Sequence, residues 1–100
     1  MENFTILVIY KAKYEGAREE FVKELMGSGV LSAIRSENGC LAYEYYYSNE
    51  DKCRLVLYEK WESTEHQKIH MTQRHMSMAM EIKSKYIESA ELKQVEISAL

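Results

Sequence analysis

The chain has 100 residues, a formal net charge of -3 and a hydrophobic fraction of 46%. A chain of this length can bury one core but not two, so we expect a single domain over residues 1–100. The charge disfavours nucleic acid and anionic membranes as partners, and no segment approaches membrane-spanning length. The first residues lack the cationic start of a secretory signal, which predicts a cytoplasmic protein.

The first part of the chain predicts a strand followed by a helix with a kink. Residues 4–12 are rich in β-branched and aromatic side chains and precede a polar turn. Apolar residues then recur with helical spacing over residues 17–37. Gly27 and Gly29 each cost about 1 kcal/mol relative to alanine in a helix interior, so we expect the helix to kink or unwind around them. Gly39 is expected to close this segment in the left-handed conformation.

The middle of the chain predicts a β-hairpin. Residues 40–48 and 53–61 are β-rich and flank a polar four-residue turn. In the simplest register Tyr43 faces Tyr58. The two cysteines then lie at opposite ends of the hairpin, too far apart for a disulfide.

A second helix and a last strand complete the chain. Ser63 is the expected N-cap of a helix that continues, with a bend, to about Lys85. Val95, Ile97 and Ala99 then alternate with polar residues, which predicts a half-buried strand.

The order β-α-β-β-α-β predicts an α+β fold of the ferredoxin-like type, with two helices on one face of a four-stranded antiparallel sheet. Both faces of this sheet are apolar, because Leu7 and Ile9 point away from Ile6 and Val8. A face open to water would alternate apolar with polar residues. We therefore expect a second copy of the sheet to cover it, which makes the protein a homodimer.

Histidines give the second helix its candidate chemistry. His66 and His70 share a helix face at a spacing that metal ligands also use, but a zinc site needs further ligands and we predict no metal. His70 and His75 are candidate catalytic proton carriers, because imidazole titrates near neutral pH. His70 is the preferred residue. His75, five residues further on, turns away from it if the helix is regular. The alternative interpretation of His66 and His75 is that they are polar side chains at a helix end without a function.

Side chains of the hairpin are candidates for substrate binding. Trp61 shares a strand face with Leu57 and Glu59, and it is either a core anchor or a flat wall for an aromatic ligand. A buried Glu59 needs a partner, for which Arg35 is a candidate. The predicted substrate-binding residues are Trp61, Glu59, Tyr43, Tyr45, Leu57 and Arg35. The second helix adds flexible methionine side chains that either line the bottom of a pocket or fill the core. They are Met71, Met76, Met78 and Met80.

Two blocks of this sequence resemble antibiotic biosynthesis monooxygenase domains. The first, residues 35–44, contains an arginine, a glutamate, a Gly-Cys pair and a tyrosine, as the corresponding block of that family typically does. The second consists of an acid and a tryptophan, Glu59 and Trp61, followed by His70 and His75. The resemblance spans nearly the whole chain, and the order of elements agrees throughout.

The resemblance implies a dimeric α+β barrel with a hydrophobic pocket between helices and sheet. It implies a monooxygenase without cofactor, in which His70 deprotonates a small aromatic or quinol-like substrate and the anion reacts with molecular oxygen between walls formed by Trp61 and the tyrosines. A non-catalytic ligand-binding or stress-response module of the same fold is the alternative. Haem-degrading members carry an asparagine where this chain has Ile9, and a sugar-phosphate isomerase needs a cationic cluster that the sequence lacks, so both are disfavoured.

Overall fold

A computed structural model describes residues 3–99. Its elements are β1 (Phe4–Ala12), α1 (Ala17–Gly27), α2 (Val30–Arg35), β2 (Cys40–Tyr47), β3 (Arg54–Trp61), α3 (Thr64–His70), α4 (His75–Tyr86) and β4 (Ile87–Val95). The strands form one antiparallel sheet in the order β2-β3-β1-β4. This confirms the ferredoxin-like α+β fold, with each predicted helix divided into two.

Both helix interruptions have a local cause. Gly29, with φ 84°, separates α1 from α2 in the left-handed conformation that glycine adopts without strain, as its position predicts. Between α3 and α4, the side chains of Thr72 and Gln73 both donate hydrogen bonds to the carbonyl oxygen of Ile69, at 2.7 and 3.2 Å. Such bonds compete with the helical ladder. The bend predicted within the second helix is therefore a turn, centred on residues 71–74, that separates α3 from α4.

The hairpin register differs from the simplest pairing by one residue. Cys40 pairs with Trp61, but an irregularity before Ala42 places Tyr43 opposite Glu59. The predicted pairing of Tyr43 with Tyr58 is wrong, because the extra residue in β2 shifts every later pair. Side chains alternate between the two faces of a strand, so the shift turns Tyr43 towards the helices together with Glu59. Both cysteines are free.

The core lies between the helices and one face of the sheet. Strand and helix residues that are fully buried there include Ile6, Leu55, Leu57, Trp61, Phe21, Leu25 and Ile34. On the opposite face Leu7, Ile9, Val56 and Tyr58 are only partly buried. Both faces are thus apolar at the centre of the sheet, as the alternation in β1 and β3 predicts.

The last strand begins earlier than predicted. β4 pairs with β1 from Ile87 opposite Ala12 to Val95 opposite Thr5. Of the alternating residues, Val95 ends β4, whereas Ile97 and Ala99 lie beyond the described strand. Residues 3–99 contain no helix with the length and apolar character needed to cross a bilayer.

Candidate functional site

A cavity of about 170 Å³ lies between the sheet and the helices. Buried Tyr43, Glu59 and His70 line its inner part. Met71, Met80 and Leu92 also line it, and all three are more than half exposed, so they mark its mouth. An apolar cavity with a few convergent polar groups is typical of small-molecule sites.

His70 is the most deeply buried polar side chain of this cavity, with 1% of its surface exposed. Its Nδ1 lies 2.9 Å from Oε2 of Glu37. Its ring packs on Trp61, with centroids 4.7 Å apart, and against the edge of Tyr43 at 5.7 Å. A carboxylate only accepts hydrogen bonds, so the imidazole donates its Nδ1–H to Glu37. Nε2, which has no hydrogen-bond partner among the described residues, is left to accept a proton from a bound molecule.

His75 reaches the same carboxylate. Its Nε2 lies 2.6 Å from Oε2 of Glu37, the oxygen that also binds His70. In a regular helix His75 would turn away from His70, but the turn after α3 interrupts the helix and brings His75 to the same carboxylate. These are hydrogen-bond distances, whereas two ligands each about 2.1 Å from a tetrahedral zinc ion lie about 3.4 Å apart. Within residues 3–99 no group of histidine, cysteine and acidic side chains has the arrangement of a metal site.

Glu59 is held by its own strand. Nε1 of Trp61, two residues further along β3, donates a hydrogen bond of 3.0 Å to Oε1 of Glu59. Burial raises the pKa of Glu59, and the hydrogen bond from Trp61 and the nearby His70 offset part of this rise. The predicted pairing of Glu59 with Arg35 is wrong. Arg35 is exposed at the end of α2, where its Nε donates to the carbonyl oxygen of Tyr43 at 2.9 Å.

Three phenols, one ammonium group and the amide of Gln67 complete the polar lining. Phenols are protonated at neutral pH, and burial raises the pKa of Tyr10, Tyr43 and Tyr45 further, so all three carry a hydrogen-bond donor. Nζ of Lys83 lies 5.4 Å from the ring centroid of Tyr10. Salt bridges in the described part of the chain use other lysines. Lys83 is therefore available to an anionic group in the cavity.

The structure brings some of the predicted site residues together and leaves others apart. Those that line the cavity are His70, Glu59, Tyr43 and Tyr45. Trp61 supports the ring of His70, His75 reaches Glu37, Leu57 is a core residue, and Arg35 lies outside. Of the four methionines, Met71, Met76 and Met80 line the cavity, whereas Met78 does not.

Sequence reasoning did not select Glu37, Tyr10 or Lys83. Glu37 belongs to the first block that carries the family resemblance, which was the one available signal. Its contact with His70 joins residues 33 positions apart, so no local pattern reveals it. Tyr10 reads as an ordinary strand residue and Lys83 as an ordinary exposed helix residue.

The chain is thus a ferredoxin-like α+β domain with a buried histidine, held by a carboxylate at the inner wall of an apolar cavity. Residues 5–82 match the family model for antibiotic biosynthesis monooxygenase, and the chain belongs to this family. No curated protein sequence matches the chain.

Solved structures share this fold at low sequence identity. PA3566 from Pseudomonas aeruginosa superposes with a TM-score of 0.81 at 19% identity, covering 99% of this chain and 97% of its own. Rv0793 from Mycobacterium tuberculosis gives 0.78 at 17% identity, with 99% and 98% covered. A Nitrosomonas europaea protein, whose name assigns it provisionally to the antibiotic biosynthesis monooxygenases, gives 0.78 at 21% identity, with 93% and 88% covered. At these identities the likeness concerns the fold alone.

Proposed function

We propose that this protein is a cofactor-independent monooxygenase that oxidises a small aromatic or quinol-like substrate with molecular oxygen in the cavity. The observation that carries the proposal is His70, a buried imidazole with one nitrogen bonded to Glu37 and the other left without a protein partner. A general base needs this combination of orientation and reach. Membership of the monooxygenase family supports the reaction class.

In the proposed reaction, an acidic O–H or C–H of the substrate gives its proton to Nε2 of His70, and the Glu37 carboxylate stabilises the imidazolium. The substrate anion transfers one electron to oxygen, and the resulting radicals combine to form a C–O bond. The peroxide takes up a proton and then loses water as its O–O bond breaks. One oxygen atom ends in the product and one in water, and all four electrons come from the substrate, so no external reductant is needed.

The cavity walls supply what this chemistry requires of the protein. Neutral phenols of Tyr10, Tyr43 and Tyr45 can donate hydrogen bonds to a substrate anion, and the positive charge of Lys83 favours the same anion. Apolar side chains exclude water, which strengthens these interactions. A substrate with an acidic hydroxyl on an aromatic ring fits these groups.

Oxygen uptake with reduced naphthoquinols and anthrones, without added flavin or metal, tests the proposal. We expect turnover, and we expect His70→Ala to lower it by about 100-fold or more, the usual contribution of a positioned base. His66→Ala is the matched control, because His66 contacts Ser63 and Glu62 rather than the cavity. Turnover that is equal in the two variants would contradict the role of His70. Ligand-induced stabilisation without oxygen consumption would instead indicate the ligand-binding module.

The proposed functional form is a homodimer in which a second sheet covers the face bearing Leu7, Ile9, Val56 and Tyr58. The partly apolar character of this face supports the proposal, since such patches mark interaction surfaces. Sedimentation at micromolar concentration should give a dimer for the wild type and a monomer for Ile9→Glu. Met26→Glu, at an exposed position on α1, is the control that should stay dimeric.

A further inference from the structure

We propose that His75 is the solvent-facing partner of His70, and that the two histidines share one positive charge on Glu37, so that His75 releases a proton when His70 takes one up. This deepens the proposed function by assigning positioning roles to Glu37 and His75. The transfer of a substrate proton to His70 rests on the proposed function. The sharing of one positive charge by the two histidines does not, because it is a property of the protein without substrate.

The sharing follows from the common oxygen. Oε2 of Glu37 lies 2.9 Å from Nδ1 of His70 and 2.6 Å from Nε2 of His75. The Glu37 side chain is only 9% exposed, so its one negative charge is poorly hydrated. Two imidazolium rings on this carboxylate would leave an uncompensated positive charge in a largely buried site, which is costly. One imidazolium is balanced, and either ring can supply it.

The two rings differ in their access to water. The His75 side chain is 24% exposed, against 1% for His70. His75 lines an outer groove, formed with Gly29, Val30 and Met78, in which the two helix interruptions meet. It does not line the cavity. A proton can therefore leave from His75 while a substrate fills the mouth of the cavity.

The surrounding charged and titratable groups do not replace Glu37 as the shared anion. Burial raises the pKa of Glu59 on β3 and of Tyr43 on β2, which weakens both as anions beside His70. Burial, with a contribution from Glu37, also raises the pKa of Cys40. On the other side, Arg35 contacts β2 and Arg74 lines the groove with His75, so neither supplies a second anion.

The proton transfers balance. At rest the shared charge lies on His75, and His70 is neutral with its proton on Nδ1. When the substrate gives a proton to Nε2 of His70, Nδ1 of His75 gives one to water in the groove, and both hydrogen bonds to Glu37 persist. The net charge of the three side chains is unchanged. The transfers reverse when the peroxide takes the proton back from His70.

Imidazole ¹⁵N NMR of the full chain during a pH titration tests the sharing without any substrate. In the wild type we expect two resolved steps, with His75 taking the first proton while His70 keeps only its Nδ1 proton. In His75→Gln, whose amide can still donate to Glu37, we expect His70 to take the first proton in a single step. His66→Gln is the control and should leave the His70 curve unchanged. A His70 curve that is the same in His75→Gln and the wild type would overturn the proposal, as would simultaneous protonation of both rings in one step.

Ring protonation on ligand binding provides the second test. Under nitrogen, saturation of the wild type with 2-naphthol as its anion should move the ¹⁵N signal of Nε2 of His70 to its protonated position and that of Nδ1 of His75 to its unprotonated position. A His75 signal that stays unchanged while His70 takes up the proton would overturn the proposal. If 2-naphthol does not bind, the NMR titration still decides the sharing, while the proposed substrate class loses support. His75→Asn serves in the titration if circular dichroism shows that His75→Gln is unfolded.

Discussion

Arg18 ties the first helix to the turn of the β2–β3 hairpin, and its removal gives the most direct test of the structure. It is buried on α1, and its Nη1 donates hydrogen bonds to the carbonyl oxygens of Ser48, Asp51 and Arg54 at 2.8, 2.9 and 2.8 Å. Its guanidinium also lies 4.9 Å from the ring centroid of Tyr47. Arg18→Met removes these bonds and keeps most of the apolar stem.

The expected loss follows from the number and kind of these bonds. A hydrogen bond that involves a charged group contributes about 1.5–3 kcal/mol net to the free energy of unfolding. The three bonds share one nitrogen and the turn can regain water, so their contributions do not add. We expect Arg18→Met to lower the free energy of unfolding by about 3 kcal/mol, a large part of the roughly 5–15 kcal/mol typical of a domain.

Urea denaturation, followed by the fluorescence of the single tryptophan, measures this loss. Trp61 is fully buried, so its emission reports on the hairpin and the core. Arg54→Met is the matched control, since Arg54 is exposed and makes a long salt bridge of 3.6 Å to Asp51. Such pairs contribute about 0–1 kcal/mol. If Arg18→Met unfolds within about 0.5 kcal/mol of Arg54→Met, the role of Arg18 in holding the turn is refuted.

Further predictions concern the cavity and the chain that surrounds it. Lys83→Met should raise KM for a phenolic substrate by about tenfold with little change in kcat, the result of losing about 1.4 kcal/mol of anion binding; initial rates measure it, and an unchanged KM counts against a role in binding. Because the pKa of Glu59 is raised in the folded state, its ionisation costs stability as pH rises from its unfolded value of about 4.3 through the higher folded value. Between pH 4 and pH 7 the free energy of unfolding, measured in urea, should therefore fall less in Glu59→Gln than in the wild type. Parallel pH curves for the two proteins would contradict this. Gly39→Ala should cost about 2 kcal/mol or more, because Gly39 has φ 84° and a Cβ there would collide with the ring of His66. Gly16→Ala, also at positive φ but in open space, should cost less, and thermal melts that rank the two variants the other way would contradict the collision.

Much of the fold could be predicted because its signals are local. The bounds of β1 follow from composition, and the first helix interruption follows from Gly27 and Gly29. The second interruption depends on Thr72 and Gln73 folding back onto Ile69, which residue spacing does not indicate. The hairpin irregularity near Ala42 also lacks a sequence signal, since no glycine or proline marks it.

Site residues could be predicted only where the residue type and its position on a strand face were sufficient to select them. Glu59 and Tyr43 could be selected because both lie in the hairpin and carry polar groups on apolar strands. The pairing of Arg35 with Glu59 could not be tested from sequence, because it depends on the direction of a side chain at the end of a short helix. Glu37 illustrates the same limit, since its partners follow it by 33 and 38 positions.

The turn between α3 and α4 sets the angle at which the chain presents His75. Along an uninterrupted α-helix, side chains five residues apart point about 140° away from each other, at about 100° per residue. His70 and His75 are five apart, yet both reach one oxygen atom of Glu37. The number of residues in the turn therefore determines the direction of the His75 side chain relative to that of His70. A domain of this fold with one residue more or fewer there could keep its cavity and both histidines, and still lose the common contact with the carboxylate.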